Sequence, residues 1–217
     1  MSIISKKSKL TSKGYTINKL LLTVDVEEDI KNELTIIPQS IPGYTSNNPD
    51  EDGRFHLYKH SSSKYYLPRN YGIKKFGIPG KNKIKDGIPI KCDFVGKLRD
   101  YQENVITAWK KSAELCGGGG IVAIRPGGGK TVISIGLIAN LGLKTLIIVH
   151  NSDLLNQWIE RLEMFLPTAR IGKIKAKICN TSEKDVVIGS IQSISDSRKD
   201  SEYTAEMFEE FGLLIVD

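Results

Sequence analysis

Cysteine is scarce in this sequence, and its placement excludes the usual cysteine-based sites. The 217 residues contain three cysteines, Cys92, Cys116 and Cys179, and no two of them form a CxxC pair. This usage favours a reducing compartment in which cysteine fills small apolar spaces. The three histidines, His56, His60 and His150, are not accompanied by a second cluster of ligands, so the sequence predicts no histidine metal site.

Long apolar runs are also lacking. No stretch is long enough to cross a bilayer, and the first residues lack the apolar segment of a secretory signal. The apolar content of 40% and the charged content of 26% are ordinary for a globular protein. We therefore expect an intracellular protein without a membrane partner, made of one large or two small domains.

Acidic residues are nearly absent from one region. Residues 54–91 hold ten Lys and Arg against one acid, Asp86, which gives a net charge of +9, whereas residues 96–217 hold fifteen of each sign. Such a block is typical of a surface for a polyanion, and is equally compatible with a solvated face. Its aromatic side chains are candidates either for stacking on bases or for a core: Phe55, Tyr58, Tyr65, Tyr66, Tyr71 and Phe76.

The hydrophobic pattern divides the sequence into two parts. Residues 1–95 predict a small β-rich or α+β accessory domain, with short strands such as Leu20–Val26. Residues 96–217 alternate continuous apolar strands with amphipathic helices, which predicts an α/β domain with a parallel sheet and helices on both faces. Within it, Ile121–Ile124 predicts a buried strand, and a helix is expected from Lys130 to about Leu141.

A glycine-rich loop lies between that strand and that helix. It reads Arg125-Pro126-Gly127-Gly128-Gly129-Lys130-Thr131. Glycines let backbone N–H groups close around phosphate oxygens, and the helix N-terminus adds partial positive charge. A lysine and a hydroxyl at Lys130 and Thr131 suit the β and γ phosphates and Mg²⁺. The strict pattern asks for a further glycine where Ile124 stands, but the GGGKT core predicts binding of ATP or a related nucleotide with magnesium.

Several further motifs follow in a fixed order. Leu98-Arg99-Asp100-Tyr101-Gln102 precedes the loop, His150–Trp158 and Ser190-Ile191-Gln192 follow predicted strands, and Leu213-Leu214-Ile215-Val216-Asp217 comes last. Together with the loop, this order resembles the first RecA-like domain of a superfamily 2 DEAD/DEAH-type helicase. The likeness is greatest to the helicases of large DNA viruses and to DNA-repair translocases.

The resemblance implies a role for each matching position. Gln102, with Arg99 nearby, would read the adenine edge, and Asp217 would hold Mg²⁺ together with Thr131. Lys130 and Asp217 would be the catalytic residues. Asn151, Ser152, Ser190 and Gln192 would contact the nucleic-acid backbone. The residues themselves leave alternatives open: an exposed helix position for Gln102, helix capping for Asn151 and Ser152, and an ordinary loop for Ser190 and Gln192.

The resemblance also implies parts that do not occur in these 217 residues. In such helicases a glutamate follows the aspartate that corresponds to Asp217, and a second RecA-like domain supplies an arginine worth roughly 10³–10⁵ in rate. We therefore expect these residues to be the N-terminal part of a helicase, through truncation, a partial sequence or a split gene, and to have negligible ATP turnover alone. Nucleic acid, DNA in preference to RNA, is the expected partner.

Two other functions compete with this hypothesis. A non-catalytic nucleic-acid-binding module would use the basic aromatic region 54–91 and would not need Lys130. A P-loop kinase-like transferase is disfavoured by the tract 151–158 and by Asp217. The sequence does not distinguish translocation polarity or pathway.

Overall fold

The computed structural model describes residues 3–37, 54–115, 118–195 and 205–217. These form two compact units, Met1–Ile84 with Leu115–Gly118, and Lys85–Glu114 with Gly119–Asp217. The division lies eleven residues before the boundary predicted between 95 and 96. Residues 85–95 pack on the second unit because their backbone bonds to it: Lys144 N donates to Ile88 O at 2.7 Å, and Val95 N donates to Phe165 O at 2.8 Å.

The first unit is an α+β structure, as its sequence predicts. Its helices are α1 (Ile3–Lys7), α2 (Val24–Glu33) and α3 (Arg69–Phe76), and its strands are β1 (Lys9–Thr11), β2 (Gly14–Asn18), β3 (Thr35–Ile36), β4 (Phe55–His56), β5 (Lys59–His60), β6 (Lys64–Leu67) and β7 (Lys81–Asn82). Five of these strands form one sheet in the order β5-β6-β2-β1-β7, and β3 pairs with β4. The core lies between the sheet and the helices α2 and α3.

The predicted strand Leu20–Val26 is wrong. A 3-10 turn occupies Lys19–Leu21, and α2 begins at Val24 after Thr23 as N-cap. Asp25 and Glu27 lie in the first turn of α2, where the partial positive charge of a helix N-terminus favours carboxylates. These acids outweigh the strand preference of the short apolar run before them.

The second unit is the predicted α/β domain. It contains α4 (Asp100–Leu115), α5 (Lys130–Leu141), β8 (Thr145–Val149), α6 (Ser152–Phe165), β9 (Ile171–Lys175), β10 (Ile178–Cys179), β11 (Val186–Ser190), α7 (Ile191–Ile194), α8 (Ala205–Phe208) and β12 (Leu213–Val216). The sheet order is β10-β9-β11-β8-β12, and every pair is parallel except β10 with β9.

Helices cover both faces of this sheet. Ile135, Trp158 and Leu162 of α5 and α6 pack on one face with the strand residues Ile147 and Ile188. On the other face, side chains of α7 and α8 pack against a different set of strand residues, which includes Leu146 and Val187. The alternation follows because successive strand residues point to opposite faces. The predicted parallel sheet with helices on both faces is confirmed.

The predicted strand Ile121–Ile124 is wrong. The segment before the glycine-rich loop has no strand partner within the described residues, and Ile121 is 94% exposed. Ile124 packs on the small cluster that joins α4 to α5. An apolar run predicts burial, but a strand forms only where a neighbour pairs with its backbone groups.

Candidate functional site

Glycine is required in the loop before α5 by its backbone conformation. Gly127 and Gly129 both have a φ of +76°, in the left-handed region that other residues occupy only with strain. Gly129 is the N-cap of α5. Gly128 is buried, and a Cβ on it would lie 2.3 Å from Ile124 Cγ2. The sequence therefore needs its three consecutive glycines to form this turn.

Residues at the start of α4 brace the loop. Tyr101 Oη donates to Gly128 O at 2.9 Å. Gln102 is only 5% exposed, and its Oε1 accepts from Arg99 N at 3.0 Å. A Cβ on Gly129 would lie 2.6 Å from Gln102 Nε2, so the amide rests directly against the loop. The structure thus brings Arg99, Gln102 and the loop together, and the alternative of an exposed helix position for Gln102 is wrong.

Lys130 and Thr131 are the first two residues of α5, the helix that follows the loop. Lys130 is exposed, and its Nζ donates to Ile124 O at 3.3 Å, across the loop. Ile133 N donates back to Gly129 O at 3.0 Å, whereas the amides of the turn before it have no acceptor within the helix. This end of α5 therefore combines a cation, a hydroxyl and N–H groups, which is the chemistry that phosphate oxygens bind.

The loop lies toward the carboxyl edge of the sheet. Both α5 and β8 contribute to one core, and only residues 142–144 connect them. Gly142 ends α5 with a φ of +61°, and its N–H donates to Ile138 O. Twelve helical residues span about 18 Å and five strand residues about 17 Å, so α5 runs back along the length of β8. Its N-terminus thereby reaches the edge at which ligands bind in such sheets.

Asp217 follows β12 at that same edge. Its N–H donates to Ile148 O at 3.0 Å, which continues the pairing of β12 with β8. The buried indole of Trp158 donates its Nε1–H to Asp217 Oδ2 at 2.9 Å. Asp217 is exposed, and one of its carboxylate oxygens is held in place by α6.

The residues predicted for nucleic acid gather after β8 and β11, which are neighbouring parallel strands. Gln192 Nε2 donates to His150 O at 2.7 Å, and Ser190 Oγ donates to Gln192 Oε1 at 2.8 Å. Asn151 Oδ1 accepts from Leu154 N at 2.8 Å, so Asn151 is the N-cap of α6 and Ser152 is its first residue. These polar groups form one cluster along the carboxyl edge.

The structure distinguishes the alternatives to nucleic-acid contact that the sequence left open for these residues. The capping alternative is correct for Asn151, whose amide nitrogen nonetheless remains outside the cap, 3.2 Å from His150 Nε2. Ser152 does not cap. Gln192 is not in a loop, because it lies in α7.

Two side chains and one backbone carbonyl that hold the site together are not deduced from the sequence. Tyr101 holds the loop carbonyl, Trp158 holds Asp217, and the backbone of His150 holds Gln192. All three lie inside the motifs, so motif membership is the signal that could have found them. Their partners, between 27 and 59 residues away, have no signature in a single sequence.

Taken together, the loop, α5 and Asp217 at the carboxyl edge define a P-loop nucleotide-binding domain of the α/β class. The family model described as "Type III restriction enzyme, res subunit" matches residues 96–217. The chain belongs to this family, and the predicted membership of the superfamily 2 helicases is confirmed.

Known proteins resemble the chain over different lengths. "Putative ATP-dependent RNA helicase L396" of Acanthamoeba polyphaga mimivirus is 32% identical over 213 residues, 97% of this chain and 40% of that protein. "DNA 3'-5' translocase XPB2" of Sulfurisphaera tokodaii is 32% identical over 111 residues, 50% of this chain and 24% of that protein. The chain thus spans about two fifths of the mimivirus relative and about a quarter of the archaeal one.

One solved structure shows a partial likeness. The Sulfolobus solfataricus SWI2/SNF2 ATPase core, in complex with dsDNA, is 24% identical and covers 49% of this chain and 23% of that chain, with a TM-score of 0.40.

Proposed function

We propose that this chain is the ATP-binding lobe, with an N-terminal accessory unit, of an ATP-dependent nucleic-acid helicase or translocase. The observation that carries this proposal is the glycine loop at the start of α5, braced by Tyr101 and Gln102 and set at the same sheet edge as Asp217. Family membership and the names of the relatives support the class of activity.

ATP and magnesium fit the residues at that edge. The amides of the loop and of the first turn of α5 would hold the phosphates, together with Lys130. In the structure the Lys130 ammonium donates to Ile124 O at 3.3 Å. A phosphate oxygen would take the place of this carbonyl oxygen, and its negative charge would make the hydrogen bond stronger. Thr131 Oγ1 and the Asp217 oxygen not held by Trp158 are the oxygen ligands that Mg²⁺ prefers. Magnesium would neutralise phosphate charge there.

Gln102 and Arg99 are proposed to recognise the base. Gln102 Oε1 is already engaged by Arg99 N, so the amide orientation is fixed before a ligand arrives. An amide held in this way presents its remaining hydrogen-bonding groups in one direction, which suits the donor and acceptor edge of adenine. This fixed orientation supports a preference for ATP over other nucleotides.

The cluster of Asn151, Ser152, Ser190 and Gln192 is proposed to contact a nucleic-acid backbone. Its hydroxyl and amide groups lie side by side along the carboxyl edge and are exposed or half-buried. Amides and hydroxyls bind phosphate and sugar oxygens without reading sequence. We infer that this cluster binds nucleic acid largely independently of sequence. DNA is the first substrate to test, because the archaeal relative is named as a DNA translocase.

Turnover is proposed to need a second lobe. Both relatives are much longer than this chain, and a second domain that closes over ATP completes the hydrolytic site in such motors. We therefore expect ATP binding but negligible ATP hydrolysis and no unwinding from residues 1–217.

The mimivirus relative supports a virus-encoded origin. The thiol of Cys92 is buried, and burial raises its pKa to about 11, which suits a reducing compartment.

The test is the affinity for ATP of the Lys130→Ala variant. Titration calorimetry with Mg²⁺ and ATP should show binding by the wild-type chain and at least a tenfold loss in the variant, because one charged phosphate contact contributes roughly 1.5–3 kcal/mol. Lys173→Ala is the matched control, since Lys173 is an exposed lysine in β9 of the same unit. Equal affinities in Lys130→Ala and Lys173→Ala would refute the proposal, as would rapid ATP turnover by the chain alone.

A further inference from the structure

The five-stranded sheet of the first unit has two unlike faces. The side chains that point toward α2 and α3 are apolar and at most 2% exposed: Leu10, Tyr15, Ile17, Tyr65 and Leu67. Alternation along each strand places the intervening residues on the opposite face. Tyr65, one of the candidates for stacking on bases, therefore belongs to the core. Only some of the aromatic residues of region 54–91 remain candidates for contact with a ligand.

A single row of cross-strand partners runs over that opposite face. Lys59 pairs with Tyr66, Tyr66 with Thr16, Thr16 with Lys9, and Lys9 with Lys81. Directly paired residues lie on the same side of a sheet with their Cβ atoms about 5 Å apart. Lys64, two residues before Tyr66, projects to the same side. We call Lys9, Lys59, Lys64, Lys81 and Tyr66 the basic face.

The charge of the basic face is not neutralised. The five strands of this sheet contain no Asp or Glu. All four lysines are exposed, and within the part of the chain that the structure describes no salt bridge joins any of them to a carboxylate. A fifth lysine, Lys13 of the β1–β2 turn, lies 5.4 Å from the centre of the Tyr66 ring.

Three acids of the same unit, all on α2, are paired with other lysines. Lys75 of α3 lies 3.0 Å from Glu33 and 3.4 Å from Asp29, and Lys31 lies 3.1 Å from Glu27. These pairs lie on the helices that cover the apolar face of the sheet. Among the described residues of this unit, the ion pairs therefore lie on the helices, and the lysines of the basic face have no carboxylate partner.

A groove borders the part of the basic face that holds Lys59 and Tyr66. Its volume is about 480 Å³, which is within the usual range of roughly 300–1,000 Å³ for ligand pockets. Lys13, His56, Lys59, Tyr66 and Arg69 are among its lining residues, and no lining residue is acidic. The half-buried ring of Tyr66 thus borders a groove whose charged side chains are all positive.

We propose that the basic face binds single-stranded nucleic acid, with its lysines on successive phosphates and the Tyr66 ring stacked on a base. Lysines spaced across a sheet neutralise a polyphosphate, and an aromatic ring adds stacking only where a base is unpaired. The proposal rests on the proposed function for its class of ligand, and it adds a contact surface on the unit that does not carry the ATP site. It differs from a non-catalytic module because the same chain also carries the proposed ATP site, on its second unit.

The test measures binding of fluorescein-labelled (dT)20 to residues 1–217 by fluorescence anisotropy at several salt concentrations. The variant Lys9→Gln/Lys59→Gln/Lys81→Gln keeps exposed side chains of similar length and removes three charges. Each lost phosphate contact lowers the slope of log affinity against log salt by about 0.7, so the slope should fall by about 2. The affinity at low salt should fall at least tenfold.

The matched control is Lys6→Gln/Lys74→Gln/Lys111→Gln, which removes three exposed lysines that lie on helices. It loses the same charge and should leave both affinity and salt slope nearly unchanged. Tyr66→Leu should weaken (dT)20 binding about tenfold without changing the salt slope, because stacking is not an ionic contact. Equal losses in the two lysine triples would overturn the proposal.

Competitors decide the class of ligand. Unlabelled (dT)20 should displace the probe at lower concentration than a 20-base-pair duplex or polyglutamate of equal charge. If polyglutamate competes equally and Tyr66→Leu has no effect, the face is a general polyanion surface and the proposal is wrong. If the duplex competes better, the single-strand assignment is wrong.

Failure of this proposal is distinguishable from failure of the proposed function. The lysine triple on the basic face should retain the ATP affinity of the wild-type chain. Lys130→Ala should lose ATP binding and retain the contribution of the basic face to (dT)20 binding. Each site is therefore tested by a variant that leaves the other site intact.

Discussion

Two glycines of the nucleotide loop have the same backbone conformation and different surroundings. Gly127 and Gly129 both have a φ of +76°. A Cβ added to Gly127 would meet no atom within 4 Å, whereas a Cβ added to Gly129 would lie 2.6 Å from Gln102 Nε2. Gly127→Ala therefore adds backbone strain alone, and Gly129→Ala adds the same strain together with a collision.

The expected losses of stability follow from these two effects. The left-handed conformation costs an alanine about 1–2 kcal/mol, which is the expected loss for Gly127→Ala. In Gly129→Ala the Gln102 amide must also move, and Gln102 is 5% exposed with its Oε1 bonded to Arg99 N. Loss of that hydrogen bond adds about 1 kcal/mol, so the expected loss for Gly129→Ala is about 2–3 kcal/mol.

Urea unfolding followed by tryptophan fluorescence measures the difference. The chain has two tryptophans, Trp109 and Trp158, and both lie in the second unit, so the signal reports on the unit that carries the loop. A difference of about 1 kcal/mol corresponds to roughly 0.3–1 M in the urea midpoint between the two variants.

A double-mutant comparison identifies Gln102 as the cause. In a Gln102→Ala background the collision is removed, so Gly129→Ala should cost only as much as Gly127→Ala does. Equal losses for the two single variants would refute the reasoning. So would a cost of Gly129→Ala that is unchanged when Gln102 is alanine.

Two further substitutions test contacts at opposite ends of the strands of the second unit's sheet. Trp158→Phe removes the indole N–H that Asp217 Oδ2 accepts, and it should weaken Mg²⁺-dependent ATP binding about fivefold while leaving binding in EDTA unchanged, as calorimetry would show. Asp185→Asn should lower the free energy of unfolding by about 2 kcal/mol at neutral pH, because Asp185 is buried and accepts three hydrogen bonds from Arg170, one of them from its backbone N–H. The Arg170 hydrogen bond holds the pKa of Asp185 below its ordinary value. The stability that this carboxylate contributes is therefore present above about pH 4 and is lost at lower pH, and urea unfolding from pH 7 to pH 3 should show the wild type approaching the variant. A constant gap across this range would contradict that assignment.

Elements with strong local signals are predicted well from the sequence. The helix expected from Lys130 to about Leu141 has those bounds, and Gly142 ends it in the left-handed conformation. β8 (Thr145–Val149) likewise coincides with a continuous apolar run of the kind that predicts a buried strand. In both cases the signal lies within the element, as apolar periodicity and a glycine stop, and neighbouring elements do not reverse it.

Elements that depend on a distant neighbour are predicted poorly. Ile121–Ile124 has the composition of a buried strand, but Ile121 is 94% exposed because no strand pairs with it in the described part of the chain. The basic face illustrates the same limit. Lys9 and Lys59 are 50 residues apart in the sequence, and only the register through Thr16 and Tyr66 places them in one row. The charge of region 54–91, compatible with either a polyanion surface or a solvated face, does not include Lys9.

The candidate site is divided in the same way. Motif order identifies the loop, Gln102 and Asp217, but the side chains that hold them are visible only in the structure. α6 is the clearest case, because its N-cap is Asn151 and its Trp158 binds Asp217. Trp158 lies seven positions after Asn151, two turns or about 10 Å along a rigid helix. Asn151, which is proposed to bind nucleic acid, thus lies on the same helix as Trp158, which holds the carboxylate proposed to bind Mg²⁺. Movement of α6 when a strand binds at Asn151 would move the Trp158 indole and the carboxylate it holds, which gives the two sites a direct physical connection. The measurement is the change in Mg²⁺-ATP affinity that (dT)20 causes. If α6 couples the sites, Trp158→Phe reduces this change as well as the affinity itself. An unchanged effect of (dT)20 in the variant would show that α6 does not couple the sites.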